Sequence, residues 1–372
     1  MEKKLTPQKT KHTPSISQKP IVYDMIVFCH LRWDFVYQRP QHLISRMSDS
    51  YNILVVEEPI PADGEKNYRL EKINENLTIL KPKVDRIENI RIVFDELNIK
   101  EVDFAWFYSP SFVDLLPYIK ARTVIYDCMD ELSQFKGASP QLRAQEKFLI
   151  QEADLVFTGG KSLYEAKSKL TSEAHCFPSS VDVPHFKKAN GHIVIPEDIK
   201  GIKNPIVGYI GVIDERIDLD LLKETAHLLP DVSFVMLGPL AKISDEDLPR
   251  ASNIHYLGMK KYNELPGYLK AFDIAMMPFA LNEATQFISP TKTLEYMAAD
   301  KPIISTAITD VVRDYSKALN IVATADEFAE AINHTISKEN THDSERYASI
   351  LNKTSWANTA KNMMELLKQK NK

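Results

Sequence analysis

Short apolar runs alternate with amphipathic segments along most of the chain. The first run, Asp24–His30, reads DMIVFCH and is typical of a strand that a parallel sheet buries on both faces. The segment after it places Leu43, Ile44 and Met47 on one side, which predicts a helix packed on that sheet. The same alternation predicts strands at 53–56, 77–80, 104–108, 124–127 and 155–157, and helices at 87–97, 112–119, 141–152 and 162–170.

The alternation stops within residues 179–201 and then begins again. Pro184, Gly191, Pro196 and Gly201 lie in this polar stretch, and the break predicts a boundary between two domains. The second half predicts strands at 205–210, 232–237, 254–257, 274–277 and 302–305, and helices at 219–229, 264–272, 327–337 and 355–370.

Strands that alternate with helices form parallel sheets through right-handed crossovers. We therefore predict an α/β fold with two doubly wound, Rossmann-like domains that face a cleft. The predicted parts are a disordered tail at 1–20, an N-terminal domain at 21–185, a C-terminal domain at 186–354 and a final helix at 355–372. Sheets of this kind bind ligands at the carboxyl ends of their strands, so site residues are expected in those loops of both halves.

Charge and cysteine content narrow the class of protein. The net charge is −5, so no global basic field would recruit nucleic acid. Cys29, Cys128 and Cys176 are far apart and have no metal-binding spacing, which favours a reducing cytoplasm. No apolar run approaches the roughly 18 residues of a membrane span. The lysines of the 1–20 tail suit peripheral contact with anionic lipid on the inner face of the membrane, although a solubilising tail is the simpler interpretation.

The stretch Thr285–Asp310, TQFISPTKTLEYMAADKPIISTAITD, predicts a helix whose start faces an anion. Ser289 is expected to cap the helix and Pro290 to occupy its first turn. Unpaired amides and the positive end of the helix dipole would then lie beside Lys292, as a phosphate requires. The alternative is an ordinary capped surface helix with a Lys292–Glu295 ion pair.

Two loops of the second half are candidate ligand contacts. Gly211 follows the 205–210 strand and would let a ligand approach the backbone, and Arg216 could neutralise a phosphate. A solvated Arg216 paired with Asp214 or Asp220 is the alternative. The loop Gly258–Lys261, which contains Met259 and Lys260, suits a flat base held by backbone atoms.

The first half offers two more candidates. Asp127 and Asp130 follow the 124–127 strand, where two carboxylates suit catalysis or acceptor binding, with a helix cap plus a surface charge as the alternative. The loop after the first strand contains Trp33 and Arg39 and suits a sugar acceptor, although a purely structural loop is nearly as good an interpretation.

Several motifs are missing from the sequence. The chain has no G-x-x-x-x-G-K-[ST] loop and no G-x-G-x-x-G after the first strand, which argues against P-loop NTPases and dinucleotide dehydrogenases. Asp218–Asp220 and Asp245–Asp247 match a bare D-x-D, but Asp218 and Asp220 would point to different sides of a helix start. No metal is therefore expected.

Six segments resemble GT-B glycosyltransferases of family 4, the glycosyl transferases group 1 type. The resemblance covers nearly everything after residue 20. Within the family, the chain is similar to the bacterial branch that works on cell-surface polysaccharide, the teichuronic-acid-type transferases. The segments are HLRWDFVYQRPQHL at 30–43, VIYDCMDELSQF at 124–135, EADLVFTGGKSL at 152–163, SSVDVPHF at 179–186, GYIGVIDERIDLDLL at 208–222 and ISPTKTLEYMAADKPIIST at 288–306.

The resemblance implies a retaining, metal-independent transferase. A nucleoside-diphosphate sugar, a UDP-sugar by expectation, would bind the C-terminal half as a substrate, with no cofactor. A glycan or lipid-linked acceptor would bind the N-terminal half, onto which the last helix packs back.

The resemblance also implies roles for individual residues. Glu295 matches the carboxylate that binds the donor ribose, and Asp130 falls in the catalytic loop near the sugar. Arg216 and Lys292 would stabilise the departing diphosphate. The donor-binding set is Gly211, Arg216, Met259, Lys260, Ser289, Thr291, Lys292 and Glu295; the acceptor-binding set is Trp33, Arg39 and Asp127.

Departures from the family pattern leave alternatives open. Phe287 stands where the family often has a sugar-binding Glu, so sugar contacts are expected from Asn282, Glu283 or Thr285. Asp300 replaces a glycine at a position expected to have positive φ, which Asp tolerates better than most residues. The rival functions are a nucleotide-sugar epimerase of the same fold and a non-catalytic binding module.

Overall fold

The computed structural model describes residues 22–61, 64, 66–337 and 343–370. The predicted tail at 1–20 lies outside the described residues. Two parallel-dominated sheets, each with helices on both faces, form the molecule, which confirms the predicted α/β class.

The first sheet has eight strands in the order β3-β4-β2-β1-β5-β6-β7-β8. All neighbours are parallel except β3 and β4, which pair antiparallel at one edge. The strands are β1 (Met25–Cys29), β2 (Ile53–Glu57), β3 (Tyr68–Asn74), β4 (Leu77–Pro82), β5 (Glu101–Phe107), β6 (Lys120–Cys128), β7 (Leu155–Thr158) and β8 (Ala174–Cys176).

The second sheet is entirely parallel and has six strands in the order β11-β10-β9-β12-β13-β14. The central position of β9 places the loop after it at the middle of the carboxyl edge, where ligands bind in such sheets. The strands are β9 (Ile206–Ile210), β10 (Ser233–Leu237), β11 (Ile254–Tyr256), β12 (Ile274–Met277), β13 (Ile303–Ser305) and β14 (Asn320–Ile321).

The α-helices cover both faces of each sheet. They are α1 (Arg39–Met47), α2 (Ile90–Glu96), α3 (Leu142–Glu152), α4 (Lys161–Lys167), α5 (Val183–Phe186), α6 (Glu197–Lys200), α7 (Leu219–Leu228), α8 (Leu265–Ala271), α9 (Thr291–Ala298), α10 (Thr309–Tyr315), α11 (Ala325–Ser337), α12 (Ser344–Leu351) and α13 (Trp356–Lys370). None of those helices is both long and apolar enough to cross a membrane.

Alternate residues of β1 pack in different layers, as its continuous apolar pattern predicts. Ile26 and Phe28 face the layer that contains α2 and α3. Met25 and Val27 face the layer that contains α1 and α13. The sheet is therefore buried on both sides.

The last helix returns to the first half, which confirms the predicted crossing. Trp356 stacks on His42 of α1 with ring centroids 4.9 Å apart, and Met363 and Leu367 are fully buried in the same layer. The hydroxyls of Thr359 and Ser180 lie 3.2 Å apart, so α13 also contacts the segment that links the two halves.

One predicted element differs from the structure, and one strand of the first sheet was not predicted. Residues 110–118 form a 3₁₀ helix instead of an α-helix, since Pro117 inside it cannot donate to an α-helical ladder. The antiparallel strand β3 was not predicted, because most of its side chains are exposed and its pattern gives no apolar face. The sequence pattern also did not predict β8, α5, α6, α10, β14 and α12.

Candidate active site

The carboxyl edges of the two sheets face each other across a cleft that contains two adjoining cavities. The first cavity measures about 120 Å³ and is lined from both halves. The second measures about 210 Å³ and shares Val36, Gly211 and Lys292 with the first. The first cavity is lined by Val36, Gln38, Arg39, Met129, Asp130, Gly159, Ser179, Tyr209, Gly211, Val212, Arg216, Phe279 and the segment 288–292.

Helix α9 begins at the first cavity, one residue later than the sequence predicts. The N-cap is Pro290 with ψ 121°, and the prediction that Ser289 caps the helix is wrong. Ser289 lies outside the helix because the extended ψ of Pro290 delays the first helical residue to Thr291. The Ser289 carbonyl instead accepts a 2.5 Å hydrogen bond from the Ser179 hydroxyl of the first half.

No side chain in the described part of the chain caps α9. The amides of Thr291 and Lys292 therefore stay free of side-chain partners at the wall of the first cavity, where both residues lie. Free amides at the positive end of a helix dipole attract anions. The missing cap thus makes this helix start a better phosphate site than the capped helix that the sequence predicts.

Lys292 and Glu295 form the expected ion pair, with Nζ 2.9 Å from Oε2. Glu295 is only 6% exposed, so this is not the solvated surface pair of the alternative interpretation. Both residues line the second cavity. Tyr296 anchors the helix behind them, because its hydroxyl accepts a 2.8 Å hydrogen bond from the amide of Ile210. Helix α9 is therefore held against the end of β9.

Gly211 lies between the two cavities and lines both. A Cβ on Gly211 would lie 2.4 Å from the Tyr209 hydroxyl oxygen, and one on Gly238 would lie 1.8 Å from the Gly211 carbonyl oxygen. Neither position has room for a side chain. The ends of β9 and β10 approach closely here, and a ligand can contact the bare backbone.

Arg216 reaches the first cavity while paired with Asp214. Its Nε lies 2.9 Å from Asp214 Oδ1 and its Nη2 lies 2.7 Å from Oδ2. The pairing that the alternative interpretation expects is thus present, but the guanidinium also lines the cavity and lies 5.3 Å from the centre of the Phe135 ring. Asp214 therefore holds Arg216 at the cavity wall through one edge of the guanidinium, the edge formed by Nε and Nη2.

Asp130 lines the first cavity from the opposite half. Burial raises the pKa of its carboxyl group to about 6, while Arg216 and Arg39 act in the opposite direction. The carboxylate makes no side-chain hydrogen bond within the described residues. It is thus available to a ligand and titrates close to neutral pH.

Asp127, predicted to bind the acceptor, does not line either cavity. Its side chain is fully buried and pairs with Arg39. Arg39 lines the first cavity and also donates to the carbonyl of Phe177 at 2.8 Å. Asp127 therefore positions Arg39 instead of contacting a ligand.

Trp33 lies apart from Arg39, in the wall of the second cavity. Its amide donates to Glu57 Oε1 at 2.8 Å, which ties the loop to the end of β2. Met259 and Lys260 line the same cavity. Lys260 Nζ lies 2.6 Å from Asp198, and Met259 is 42% exposed. The structure thus groups Trp33 with two predicted donor-binding residues and not with Arg39.

Phe287 does not line either cavity and packs against the apolar core of the first half. The residues expected to replace it as sugar contacts do not line either cavity. Asn282 and Thr285 cap a short 3₁₀ helix, and Glu283 is exposed within it. Asp300 has φ 51°, which confirms the predicted positive φ.

Sequence reasoning missed several cavity residues. Tyr37 and Tyr262 line the second cavity from the two halves, and their ring centres lie 4.6 Å apart with the rings tilted by 30°. Tyr37 lies within the segment 30–43 and Tyr262 directly follows the loop 258–261, so closeness to those segments was the available signal. Phe135, which lies against the Arg216 guanidinium, was also missed, and its only signal was its place in the 124–135 segment.

The described residues contain no group of three His, Cys, Asp or Glu side chains that could hold a metal ion. Of the D-x-D pair, Asp218 caps α7 by accepting from the Leu221 amide at 2.8 Å, and Asp220 is exposed. These two carboxylates have separate roles at the helix start.

Residues 204–338 match the model of the family described as glycosyl transferases group 1. This region contains Gly211, Arg216, Lys292 and Glu295. A protein of Bacillus subtilis (strain 168), TuaH, named as a teichuronic acid biosynthesis glycosyltransferase, is 29% identical over 219 residues. The alignment covers 54% of this chain and 54% of TuaH, so the chain spans about half the length of the curated relative that it matches.

Solved structures share the arrangement of both halves. A sucrose-phosphate synthase from Thermosynechococcus elongatus aligns with a TM-score of 0.67 at 13% identity, covering 93% of this chain and 98% of its own. Anabaena Alr3699/HepE, solved with UDP and glucose, aligns with a TM-score of 0.67 at 14% identity, covering 93% and 100%. An E. coli trehalose-6-phosphate protein bound with UDP-2-fluoro glucose gives 0.68 at 11%, covering 93% and 99%.

The chain has the GT-B fold, and its residues 204–338 match the glycosyl transferases group 1 family model. In this GT-B protein the matched region contributes β9 to β14 and the start of α9, while Arg39 and Asp130 come from the other half. Both cavities therefore lie in the cleft that the fold creates.

Proposed function

We propose that this GT-B protein is a retaining, metal-independent glycosyltransferase that moves a sugar from a nucleoside-diphosphate sugar, a UDP-sugar in our proposal, to a glycan or lipid-linked acceptor. The observation that carries the proposal is the uncapped start of α9. It meets Lys292 and Arg216 at one cavity between two Rossmann-like halves.

The donor would occupy both cavities. The nucleoside fits the second cavity, where Glu295 can accept hydrogen bonds from ribose hydroxyls and Met259 and Lys260 flank the base. The diphosphate fits the shared wall, where the Thr291 and Lys292 amides, Lys292 Nζ and Arg216 converge. Positive groups fixed in place before the reaction stabilise a leaving diphosphate without reorganisation, which is the work that a metal ion does in other transferases.

The acceptor would approach from the first half, beside Arg39 and Asp130. Its hydroxyl oxygen forms a bond to the anomeric carbon on the face from which the diphosphate departs, as the carbon–phosphate oxygen bond breaks. The hydroxyl proton passes to the departing phosphate oxygen, and the anomeric configuration is retained. An ionised Asp130 stabilises the positive charge that develops on the sugar ring.

The relatives support the substrate class. TuaH carries a name from teichuronic acid biosynthesis, and two GT-B neighbours were solved with UDP or a UDP-sugar analogue. We therefore propose a role in bacterial surface polysaccharide synthesis. A nucleotide-sugar donor and three free cysteines fit the reducing cytoplasm.

A thermal-shift screen of nucleoside diphosphates and their sugars, followed by assay of nucleotide release with glycan acceptors in excess EDTA, tests the proposal. We expect a UDP-sugar to raise Tm and turnover to persist in EDTA, with the product retaining the donor's anomeric configuration. Turnover that EDTA abolishes, or an inverted product, would reject the corresponding part of the mechanism.

A non-catalytic nucleotide-binding module is the second candidate. Phe287 favours it, because its side chain packs into the first half and leaves no carboxylate at that position of the second half. Nucleotide binding without turnover over a broad set of acceptors, and without slow donor hydrolysis, would identify such a module.

A further inference from the structure

Asp310 of α10 reaches across the cleft and binds the backbone of the first half. Its Oδ2 accepts from the Lys161 amide at 2.9 Å, and its Oδ1 accepts from the Ser162 amide at 3.1 Å. The carboxylate is only 2% exposed. Helix α4 starts at Lys161, so a helix of the first half obtains its cap from the second half.

This contact leaves no free space at the turn before α4. A Cβ on Gly160 would lie 2.6 Å from Asp310 Oδ2 and 3.0 Å from Ser289 Cβ. Ser289 immediately precedes Pro290, the N-cap of α9, and its carbonyl accepts a hydrogen bond from the Ser179 hydroxyl. The same patch of contacts therefore joins α4 to the proposed diphosphate site.

The turn before α4 also supports the Asp130 loop. The Gly159 amide donates to the Cys128 carbonyl at 2.9 Å. A Cβ on Gly159 would lie 2.5 Å from the Met129 carbonyl oxygen. Met129 precedes Asp130 in the chain, so a shift of this turn must move the backbone that carries Asp130.

The far end of α4 holds the other side of the same loop. Lys167, nearly fully buried, places Nζ 2.6 Å from Glu131 Oε2 and 2.7 Å from Glu146 Oε1. Glu131 follows Asp130 directly. Helix α4 thus fixes the residues on both sides of Asp130, at Met129 through the turn and at Glu131 through Lys167.

We propose that Asp310 is a positioning residue for the transfer reaction, because its cap on α4 in the closed cleft sets the place of Asp130 in the first cavity. This inference rests on the proposed function. Closure of the two halves would then complete the site in two ways at once, by joining its walls and by fixing the Asp130 loop through α4.

The test compares Asp310→Ala with Asp310→Asn and with Asp314→Ala as a matched control. Asp314 lies on the same helix and pairs with the side chain of Lys161, but the structure gives it no contact with the α4 amides. Asparagine can still accept a hydrogen bond as a cap. The measurements are hydrogen–deuterium exchange of peptides covering 128–136 and 159–164, steady-state kinetics and the pH profile.

In Asp310→Ala we expect faster exchange in both peptides and a kcat that is lower by about 10- to 100-fold, as misplaced groups cause, with donor KM changed far less. Asp310→Asn should recover most of kcat. Asp314→Ala should change kcat by less than about threefold, since exposed ion pairs contribute little.

The pH profile separates positioning from a loss of stability. Arg39, Arg216, Asp214 and Lys242 are the charged groups that act on Asp130, and three of them belong to the second half. Loosening the closed cleft should hydrate Asp130 and move the acid limb of kcat to lower pH in Asp310→Ala. A variant that merely folds less well would keep the limb in place.

Two outcomes would overturn the inference. One is faster exchange at 159–164 with unchanged exchange at 128–136; the other is a folded Asp310→Ala whose kcat and pH profile match those of Asp314→Ala. If the wild-type protein shows no turnover at all, the proposed function fails instead, and the exchange data still report whether α4 couples Asp310 to the loop.

Discussion

Arg39 and Asp127 form a buried, forked ion pair at the edge of the first cavity. Arg39 Nη2 lies 2.9 Å from Asp127 Oδ1, and Nε lies 3.1 Å from the same oxygen. The exposed fractions of the two side chains are 4% and 0%. Burial raises the pKa of the Asp127 carboxyl, and Arg39 opposes that rise. The pair fixes an arginine in the cavity wall.

Removing the buried carboxylate should destabilise the protein. Asp127→Ala leaves Arg39 charged, buried and unpaired, and we expect the free energy of unfolding to fall by about 3–5 kcal/mol. Urea denaturation followed by far-UV circular dichroism measures it. Asp103→Ala is the control, since Asp103 pairs with Arg122 on the surface and should change stability by less than about 1 kcal/mol. Equal effects of the two substitutions would contradict the structural role of Asp127.

Arg216→Ala should lower kcat by about 10²-fold or more, because a fixed positive group at the leaving diphosphate is lost. Arg216→Lys should not restore the rate, since an ammonium cannot both pair with Asp214 through two nitrogens and face the cavity. Nucleotide release assays report the rate. A fully active Arg216→Ala variant would remove this residue from the mechanism.

Glu295→Ala should weaken binding of the nucleoside diphosphate and lower turnover by about 10²-fold, because ribose contacts and the charge that holds Lys292 are lost together. Glu197→Ala is a surface control, as Glu197 pairs with Lys200 at an i,i+3 spacing in solvent. Calorimetric titration with UDP measures the first effect. Unchanged affinity would place the ribose elsewhere.

The pH dependence of turnover should follow Asp130. Its pKa of about 6 means that the carboxylate is ionised above that pH, so the rate should fall as pH drops through 6. The folded pKa exceeds the unfolded value, so this group stabilises the fold at low pH and loses that contribution as pH rises through about 6. In Asp130→Asn both the acid limb of the rate and this pH-dependent part of stability should vanish. An unshifted acid limb would assign it to another group.

Phe287→Ala should lower the free energy of unfolding by about 1–3 kcal/mol, because it removes a ring that packs into the core of the opposite half. Nucleotide affinity should stay near that of the wild type, as Phe287 does not line either cavity. Phe148→Ala, at a side chain that is 46% exposed, is the matched control. A large loss of nucleotide affinity in Phe287→Ala would instead give the residue a role in the site.

The buried strands were predictable because a short, continuous apolar run identifies such a strand from local sequence alone, whichever strand pairs with it. The positive φ of Asp300 was also predictable, since it depends on a local turn. The edge strand β3 was not, because its pattern is set by exposure and by its pairing with β4. Burial of Asp127 depends on Arg39, 88 residues earlier in the chain, and local sequence carries no trace of such a pair.

Site residues were predictable where their place in a helix or at a strand end brings them to the cleft. They were not predictable where contacts between distant segments decide their position. Lys292 and Glu295 follow from α9, and Gly211 and Arg216 follow from the end of β9. The position of the N-cap depends on the ψ of Pro290. The proline ring fixes φ but permits both helical and extended values of ψ, so the sequence alone does not decide between them. The contacts of Asp310 and Phe287 cross between halves, so they became visible only once both sheets were in place.

The hydrogen bond between Thr359 and Ser180 joins the final helix to the segment that links the two halves. The backbone passes between the halves twice, near Ser180 and again just before Trp356, and this bond ties the second passage to the first. We expect the segments around Ser180 and Thr359 to move together when the cleft opens, so that closure returns Asp310 to the amides of Lys161 and Ser162.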